Sequence, residues 1–305
     1  MFQTIIYVIF FVIIAILLVI ITSTILYSIF NINIVSYIFP KKFLSFFFNK
    51  KIETFYDKNT EIPPYFFQIW INPENKVPTR IRDNFEKIRD ENKDIECKLF
   101  KGSDCTKFLE KYYEKDVQDA YKKIVPGAFK ADLMRYCILY IKGGIYLDAK
   151  MKPINNFKLE DVLDKEYFVR DFKDAGGGVC NGFIVCKPRN KRLLDAINEI
   201  VENVENRFYG NSSLEPTGPL LLKKFFTGKE IELFELEYTI NPNSPEGSEP
   251  ILIISREHEN ADKAILEKDT ELVNEQSNNR QERNYGDLWD NQNIYKTEGF
   301  TSYYV

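Results

Sequence analysis

An acidic and a basic side chain lie three residues apart in a strongly apolar stretch of this sequence. Asp132 and Arg135 belong to GAFKADLMRYCILYIKGG (127–144), whose pattern predicts a helix that ends at the glycine pair. Residues at i and i+3 share one helix face. A carboxylate accepts hydrogen bonds from vicinal hydroxyls and a guanidinium donates two in parallel, so this pair could bind a sugar. An isolated pair of this kind is more often a salt bridge, so its sequence context decides.

Asp148 follows the helix at the end of IYLDA, which predicts a buried strand. Ligands in α/β sheets bind beyond the carboxyl ends of the strands, which is where this acid would lie. Strand side chains alternate, so Asp148 and Lys150 are expected to face the same side. Enzymes that hold a metal-bound diphosphate often have carboxylates at both positions. Here a lysine takes the second one.

The stretch ADLMRYCILYIKGGIYLD (131–148) closely resembles the DXD-containing sugar transferases of glycosyltransferase family 32, which include yeast Golgi α-mannosyltransferases and have glucosylating toxins as structural relatives. That family has an Asp-x-x-Arg helix, a glycine pair and a Tyr-Leu-Asp-x-Asp strand. Weaker matches are FFQIW (66–70), NGFIVCKPRN (181–190), EPTGPLLL (215–222) and YGDLW (285–289). The resemblance covers about residues 62–295. It implies transfer of a hexosyl group from a nucleoside-diphosphate sugar to a glycan, glycolipid or protein hydroxyl, with retention of configuration.

The resemblance also implies the catalytic residues. Asp132 and Arg135 would hold the donor sugar, and Asp148 would contact the ribose or a metal-bound diphosphate. Lys150 departs from the pattern, because an ammonium cannot coordinate the Mn²⁺ or Mg²⁺ that the family's second acid binds. Either Lys150 itself neutralises the leaving diphosphate, or Asp287 joins Asp148 as a substitute metal ligand. A third alternative is an inactive descendant that binds nucleotide sugar or glycan without transferring it.

Three further positions match the family's nucleotide-sugar-binding residues. Trp70 would stack near the base, since an aromatic ring offers a platform for it. Asn181 would lie on the donor-sugar side, and the segment around Trp289 would close over the diphosphate. Each has a simpler alternative: Trp70 as a core aromatic, Asn181 as a turn residue and Trp289 as a packing residue.

The elements that position these residues alternate between strands and helices. Strands are predicted at 65–71, 95–100, 145–149, 167–172 and 181–188, and helices at 79–92, 103–121 (one helix or two), 127–144, 190–208 and 217–227. Alternation of this kind predicts an α/β domain with a mostly parallel, Rossmann-like sheet flanked by helices, and the resemblance implies the GT-A type of this fold. AGGGVCNG (175–182) precedes a strand rather than a helix, so it does not fit a dinucleotide-binding loop and is predicted as a flexible active-site loop. EQSNNRQERN (275–284) is predicted as a loop.

The N-terminal segment differs sharply from the rest in composition. Residues 1–40 contain no charged side chain, and 5–21 are almost continuously apolar. A run of about 18 apolar residues is long enough to cross a bilayer. The absence of a basic n-region argues against a signal peptide. The sequence therefore predicts a membrane anchor (1–40), a juxtamembrane stem (41–61) and one transferase domain (62–305), with membrane lipid as a partner.

The side of the membrane on which the domain lies is left open by two opposing indications. The family resemblance favours the lumen of the Golgi or ER, where the sequon at Asn211 would be glycosylated. The positive-inside rule favours a cytosolic domain, because Lys41, Lys42, Lys50 and Lys51 all follow the anchor.

Composition excludes other classes of function. The formal net charge of −4, with acids and bases interspersed, gives no basic footprint for nucleic acid. The single histidine, His258, leaves no evident base for a hydrolase with a Ser or Cys nucleophile. The five cysteines lack the spacing of a zinc site or disulfide scaffold, and a Cys180–Cys186 bridge stays open.

Overall fold

The computed structural model describes residues 61–72, 74–172, 177–245, 250–257, 260–271 and 285–296. The predicted anchor, the stem up to residue 60 and the predicted loop at 275–284 lie outside these ranges. Within them, no helix has the length and apolar character that a bilayer crossing requires.

The described residues contain strands of three to eight residues. These are β1 (Tyr65–Trp70), β2 (Glu96–Lys101), β3 (Gly144–Leu147), β4 (Met151–Pro153), β5 (Tyr167–Arg170), β6 (Val179–Cys186), β7 (Leu236–Ile240), β8 (Leu252–Ser255) and β9 (Ala264–Lys268). The helices are α1 (Thr79–Glu91), α2 (Gly102–Tyr112), α3 (Lys115–Lys123), α4 (Gly127–Lys142), α5 (Lys191–Glu205), α6 (Pro219–Lys223), α7 (Gly228–Glu232) and α8 (Tyr285–Asp290). The segment at 103–121, predicted as one or two helices, forms two, and the helix predicted at 217–227 is only the short α6.

All of these strands join one sheet in the order β2-β1-β3-β6-β5-β7-β8-β9-β4. Only β1 with β2, β1 with β3 and β5 with β7 pair in parallel, while the other neighbours are antiparallel. The α/β class is confirmed, but the prediction of a mostly parallel sheet is wrong. Parallel neighbours need crossovers of about a dozen residues or more, whereas the connections β5–β6, β7–β8 and β8–β9 span only residues 171–178, 241–251 and 256–263, so those strands return antiparallel.

Helix α4 is the element that carries the site into the core. Most of its side chains are buried, and it packs against β1, β3 and α5. Gly143 and Gly144 end it with φ values of 65° and 97°, which favour glycine. A Cβ on Gly143 would lie 2.6 Å from Pro188, and one on Gly144 would lie 2.5 Å from the Tyr65 carbonyl oxygen. The glycine pair therefore lets the chain turn from α4 directly into the centre of the sheet.

The segment before α5 corrects one prediction and decides one question that the sequence left open. The glycine-rich stretch is not a single loop, because Val179 already begins β6. Cys180 and Cys186 are free thiols, as are the other three cysteines. Both lie in β6, six residues apart, and an extended strand separates such residues by roughly 20 Å, far more than a disulfide spans.

Candidate active site

Asp132 and Arg135 form an ion pair inside the protein. An Arg135 Nη2 to Asp132 Oδ1 distance of 3.1 Å joins them, with side chains only 6% and 12% exposed respectively. The predicted i, i+3 pairing on one face of α4 is therefore observed. Because both groups are withdrawn from water, each charge needs further partners.

Two segments distant in sequence supply the remaining partners of Asp132. Asn181 at the start of β6 donates from Nδ2 to Asp132 Oδ1 at 2.9 Å. Thr217, just before α6, donates from Oγ1 to Asp132 Oδ2 at 2.7 Å. Asn181 Nδ2 also donates to the Tyr136 hydroxyl at 2.9 Å. Asn181 is thus a buried member of the cluster rather than an exposed turn residue.

Asp148 is the exposed member of this cluster. Its side chain is 42% exposed, and its Oδ1 lies 3.2 Å from Arg135 Nη1. The Tyr146 hydroxyl donates to the same oxygen at 2.7 Å. The backbone N–H of Asp148 donates to the Gly182 carbonyl at 2.7 Å, and a Cβ on Gly182 would lie 3.1 Å from Asp148 Oδ2. A larger residue at 182 would therefore press on the carboxylate.

Arg135 is the common partner of the acids. Besides the two carboxylates, its Nη1 donates to the Asn181 carbonyl at 2.7 Å, and its guanidinium lies 4.6 Å from the centre of the Tyr146 ring. Burial disfavours its charge, but Asp148 and other neighbours outweigh that effect and keep the pKa of Arg135 above its ordinary value. Arg135 therefore stays charged.

Burial raises the pKa of Asp132, and the charge of Arg135 and the hydrogen bonds from Thr217 and Asn181 oppose that rise. The cluster holds two carboxylates and one guanidinium. Its net charge with both acids ionised is −1, which suits sugar hydroxyls and a developing positive charge better than it suits a diphosphate.

Lys150 does not lie on a continuing strand. Strand β3 ends at Leu147, and the Met151 N–H donates to the Asp148 carbonyl at 2.9 Å, which closes a turn over 148–151. The prediction that Lys150 faces the same side as Asp148 assumed that the strand continues to residue 150, and that assumption is wrong. On the other side of Asp148 the alternation holds, because Tyr146 lies two residues earlier and contacts Asp148.

Trp70 lies in a small apolar cluster with Ile81 of α1 and Ala149. The residue is 9% exposed, and its indole nitrogen is buried without a hydrogen-bond partner. It adjoins the turn that follows Asp148, and in this conformation it packs as a core aromatic.

Helix α8 places Tyr285 near the site, rather than the predicted Asp287 and Trp289. Trp289 donates from Nε1 to the Tyr209 carbonyl at 2.7 Å, which fixes α8 to the loop after α5. Asp287 is exposed. Tyr285 packs its ring 5.9 Å from Phe129 of α4. Partial burial and then the charges of Asp132 and Asp148 raise its pKa, so its hydroxyl lies in their field.

The sequence prediction missed Tyr136, Tyr146, Thr217 and Tyr285. Tyr146 carried a signal, since strand alternation places it beside Asp148. Tyr136 lies four residues after Asp132 and shares its helix face. Thr217 and Tyr285 meet α4 only through the tertiary fold, and no local pattern indicates either.

The described residues do not form a metal centre. Within the ranges that the structure covers, no three His, Cys, Asp or Glu side chains lie close enough together to hold a metal ion. Oδ1 of Asp148 already accepts from Tyr146 and pairs with Arg135. A Mn²⁺ or Mg²⁺ ion at Asp148 would therefore need further ligands from a bound diphosphate or from water.

Residues 78–169 match the protein family described as a glycosyltransferase sugar-binding region containing a DXD motif. The resemblance to the DXD-containing glycosyltransferases is confirmed. The matched segment contains Asp132, Arg135 and Asp148, and it ends before Asn181 and Thr217.

Two curated proteins are similar to this chain. An uncharacterized glycosyltransferase of Acanthamoeba polyphaga mimivirus is 32% identical over 138 residues, which are 45% of this chain and 54% of that protein. An initiation-specific α-1,6-mannosyltransferase of Candida albicans is 28% identical over 120 residues, or 36% of this chain and 31% of that protein. The matched part thus spans about half of the first relative and a third of the second.

Among solved structures, the PaToxG glycosyltransferase superposes with a TM-score of 0.43 at 17% identity, over 63% of this chain and 79% of its own. The ligand-free glycosyltransferase domain of the YGT toxin gives a TM-score of 0.34 at 12% identity, over 52% and 66%.

Proposed function

We propose that this chain is a glycosyltransferase that moves a hexosyl group from a nucleoside-diphosphate sugar to a hydroxyl of a glycan, glycolipid or protein, with retention of configuration. One observation carries the proposal: the segment similar to a sugar-binding region folds so that Asp148, the more exposed of the two carboxylates in the cluster, is held by buried Arg135 at the carboxyl end of β3. The family resemblance supports the hexosyl group and the stereochemistry.

In this proposal the solvent exposure of each side chain decides whether it binds the donor directly or positions another residue. Asp148 accepts hydrogen bonds from donor hydroxyls through the oxygen that Arg135 and Tyr146 leave open. Asp132 is enclosed, so it acts by orienting Arg135 and Asn181. The transition state places positive charge on the sugar ring and negative charge on the departing diphosphate. The net negative cluster stabilises the first of these, and Lys150 is proposed to stabilise the second.

We also propose that residues 1–40 anchor the chain in a membrane in a single pass, with 41–61 as a stem. The family resemblance favours a domain in the lumen of the Golgi or ER, which we propose. A domain that faces the cytosol is the alternative, and Lys41, Lys42, Lys50 and Lys51 favour it.

An inactive binding protein is the second candidate. The observation in its favour is that Asp132 and Arg135 already satisfy each other and their neighbours, which leaves only Asp148 for a ligand. Such a protein would bind a nucleotide sugar or glycan without breaking the glycosidic bond.

The test is a panel of UDP- and GDP-sugars offered to the full chain in neutral detergent, with release of the nucleoside diphosphate as the readout. We expect one donor to be hydrolysed, and Asp148→Asn to abolish that turnover with an unchanged thermal unfolding temperature. Asp83→Asn, at an exposed position on α1, is the matched control and should stay active. Binding of a donor without turnover by the unaltered chain would establish the second candidate instead.

A further inference from the structure

A further carboxylate, Asp171, follows strand β5 at the same edge of the sheet as Asp148. Strands β3 and β5 each pair antiparallel with β6, which lies between them, so both run in one direction and their carboxyl ends meet at one edge. Asp148 follows the end of β3, and Asp171 follows the end of β5. Ligands of α/β sheets bind beyond this edge.

Contacts along β6 connect the two acids. A Cβ on Gly182 would lie 3.1 Å from Asp148 Oδ2 and 3.6 Å from Cys180 Sγ, so the thiol lies on the Asp148 side of β6. The Asp171 N–H donates to the Gly178 carbonyl at 3.1 Å. Burial raises the pKa of Cys180, and the charges of Asp171 and Asp148 raise it further, because the thiol lies in the field of both carboxylates.

Asp171 is buried without a compensating positive charge in the described part of the chain. The residue is 7% exposed, and its Oδ1 accepts from the Phe172 N–H at 2.9 Å. Among the described residues, neither carboxylate oxygen pairs with a Lys or Arg, and Oδ2 accepts no hydrogen bond. Asp132, by contrast, pairs with Arg135 and accepts from two further side chains. A buried carboxylate without a partner is unfavourable, so a ligand hydroxyl that donates to Oδ2 would stabilise it.

Two aromatic rings adjoin Asp171. Phe172 is the next residue, and the centre of its ring lies 5.1 Å from that of Tyr238 in an edge-on arrangement. Strands β5 and β7 pair in parallel with Arg170 beside Glu237, so Tyr238 follows at the level of Asp171. Both rings are half-buried. A carboxylate and two partly exposed rings therefore lie together at the end of β5.

This combination suits an uncharged sugar. The carboxylate of Asp171 accepts hydrogen bonds from hydroxyls, and the rings of Phe172 and Tyr238 offer apolar surface to the C–H groups of a pyranose. Burial, then Cys180 and the carboxylates of Asp148 and Asp171, raise the pKa of Tyr238, so its hydroxyl stays protonated and lies in the field of both acids. The same negative field repels a phosphate.

The distance between the two acids fits a second sugar beside the transferred one. Asp148 donates its N–H to Gly182 and Asp171 donates its N–H to Gly178, and these glycines are four residues apart, about 13 Å along an extended strand. One hexose ring at Asp148 does not span that distance, whereas an adjoining ring extends to Asp171.

We propose that Asp171, Phe172 and Tyr238 bind the acceptor as an uncharged saccharide, an inference that rests on the proposed sugar transfer. Asp171 accepts from acceptor hydroxyls that do not react, and the two rings pack against the apolar face of the sugar. The reacting hydroxyl then points along β6 toward the donor sugar at Asp148. The acceptor is therefore a glycan or the sugar of a glycolipid rather than a protein side chain.

The test is saturation-transfer NMR of the full chain in neutral detergent with the methyl α-glycosides of mannose, glucose, galactose and N-acetylglucosamine. We expect at least one of them to bind, Asp171→Asn to weaken that binding about tenfold or more, and Asp148→Asn to keep it. Asp83→Asn, at an exposed position on α1, is the matched control and should bind as the unaltered chain does. If none of the four sugars binds, or if Asp171→Asn binds equally well, the proposal is wrong.

Thermal unfolding separates sugar binding from a structural role of the same residues. Asp171→Asn removes a buried charge, so it should unfold at the same temperature as the unaltered chain or at a higher one. A lower unfolding temperature would make Asp171 a structural residue and overturn the proposal. Phe172→Leu keeps the carboxylate but removes a ring, so it should also weaken sugar binding, and unchanged binding would contradict the role of the rings.

Donor hydrolysis without an acceptor separates the subsite from the proposed function. This hydrolysis should be unchanged in Asp171→Asn, and its loss would place Asp171 in the donor site and overturn the proposed subsite. If the unaltered chain hydrolyses no donor but binds a sugar through Asp171, the proposed transfer is wrong and the saccharide subsite stands.

Discussion

Arg135 makes more contacts than a direct role in sugar binding would require. Its guanidinium joins Asp132, Asp148 and the Asn181 carbonyl, so it acts as the positioning group of the cluster. A lysine keeps the charge but presents one nitrogen to three acceptors that lie in different directions. The residue's planar fork is therefore the property that the site uses.

We expect Arg135→Lys to lower donor turnover by about 10²–10³-fold and to reduce the free energy of unfolding by about 1–3 kcal/mol. Donor turnover and urea unfolding of the full chain in detergent measure the two effects. Arg82→Lys, on the exposed face of α1, should change neither. A fully active Arg135→Lys protein would show that the two-point geometry is dispensable.

Lys150 is the other residue at which a prediction separates two mechanisms. If its ammonium stabilises the departing diphosphate, Lys150→Ala should lose about 10²–10³ in turnover, and EDTA should have little effect on the unaltered chain. The turn at 148–151 keeps Lys150 near Asp148 in the chain, although strand alternation no longer fixes its direction.

The competing mechanism makes Asp287 a metal ligand and Lys150 a bystander. It requires that EDTA abolish turnover and that Mn²⁺ restore it. It also requires that Asp287→Ala abolish turnover, as removal of the metal would. Turnover of Lys150→Ala and Asp287→Ala, each with EDTA or with Mn²⁺, distinguishes the two. An active Lys150→Ala protein that EDTA silences would rule out the lysine mechanism.

The sequence was sufficient to predict which residues of one continuous segment form the site. Asp132, Arg135 and Asp148 lie within seventeen residues of one another, so helix and strand periodicity together place them side by side. Trp289 and Asp287 were expected near the diphosphate because their segment resembles the family's C-terminal one. Their position depends on how α8 docks, which local sequence does not specify.

Helix α4 contains a second charge in an unfavourable environment, on the face away from Asp132. Burial, together with repulsion from Lys296, lowers the pKa of Lys130 to about 8. Its ammonium lies 5.1 Å from the centre of the Tyr121 ring. The folded state thus disfavours the protonated lysine, and the unfolded chain binds the proton more tightly.

The pKa of Lys130 is lower in the folded protein than in the unfolded chain, so the free energy of unfolding rises with pH between about 8 and 10.5. Below pH 8 the folded protein bears the full energetic cost of burying the protonated lysine. We expect Lys130→Met, which keeps the ring contact, to be more stable at pH 7 by about 1–3 kcal/mol. The difference should shrink as the pH rises toward 10.5. Urea unfolding of both proteins at pH 7 and pH 10 measures it, and a difference that grows with pH would contradict the assigned burial.

At the level of elements, the sequence predicted the long helices and the strands flanking the site. Strands β4, β7, β8 and β9 were missed. They are three to five residues long, and β4 pairs with β9 across more than a hundred residues of chain, so their pairing depends on tertiary contacts rather than on local pattern. The sheet is already mixed among the predicted strands, because β6 pairs antiparallel with both β3 and β5. The short connections β7–β8 and β8–β9 add further antiparallel pairs.

For the molecule as a whole, the side of the membrane can be determined at Asn211. This residue is exposed in the loop between α5 and α6, so a glycan there would meet no packed surface. We expect the chain expressed in a eukaryotic cell to carry an N-glycan that Asn211→Gln removes. If the domain carries no glycan and protease digests it in sealed microsomes, the domain lies in the cytosol.

The hydrogen bonds of Arg135 and Asp132 also bear on how the domain comes apart. They join α4, the end of β3, the start of β6 and the segment before α6, which are four separate stretches of chain. If any one of these stretches opened alone, a buried charge would lose its partner, so the separate opening of one stretch costs much free energy. The four stretches should therefore exchange their backbone amide hydrogens together, as one cooperative unit, and the candidate site would be among the last parts of the fold to lose protection.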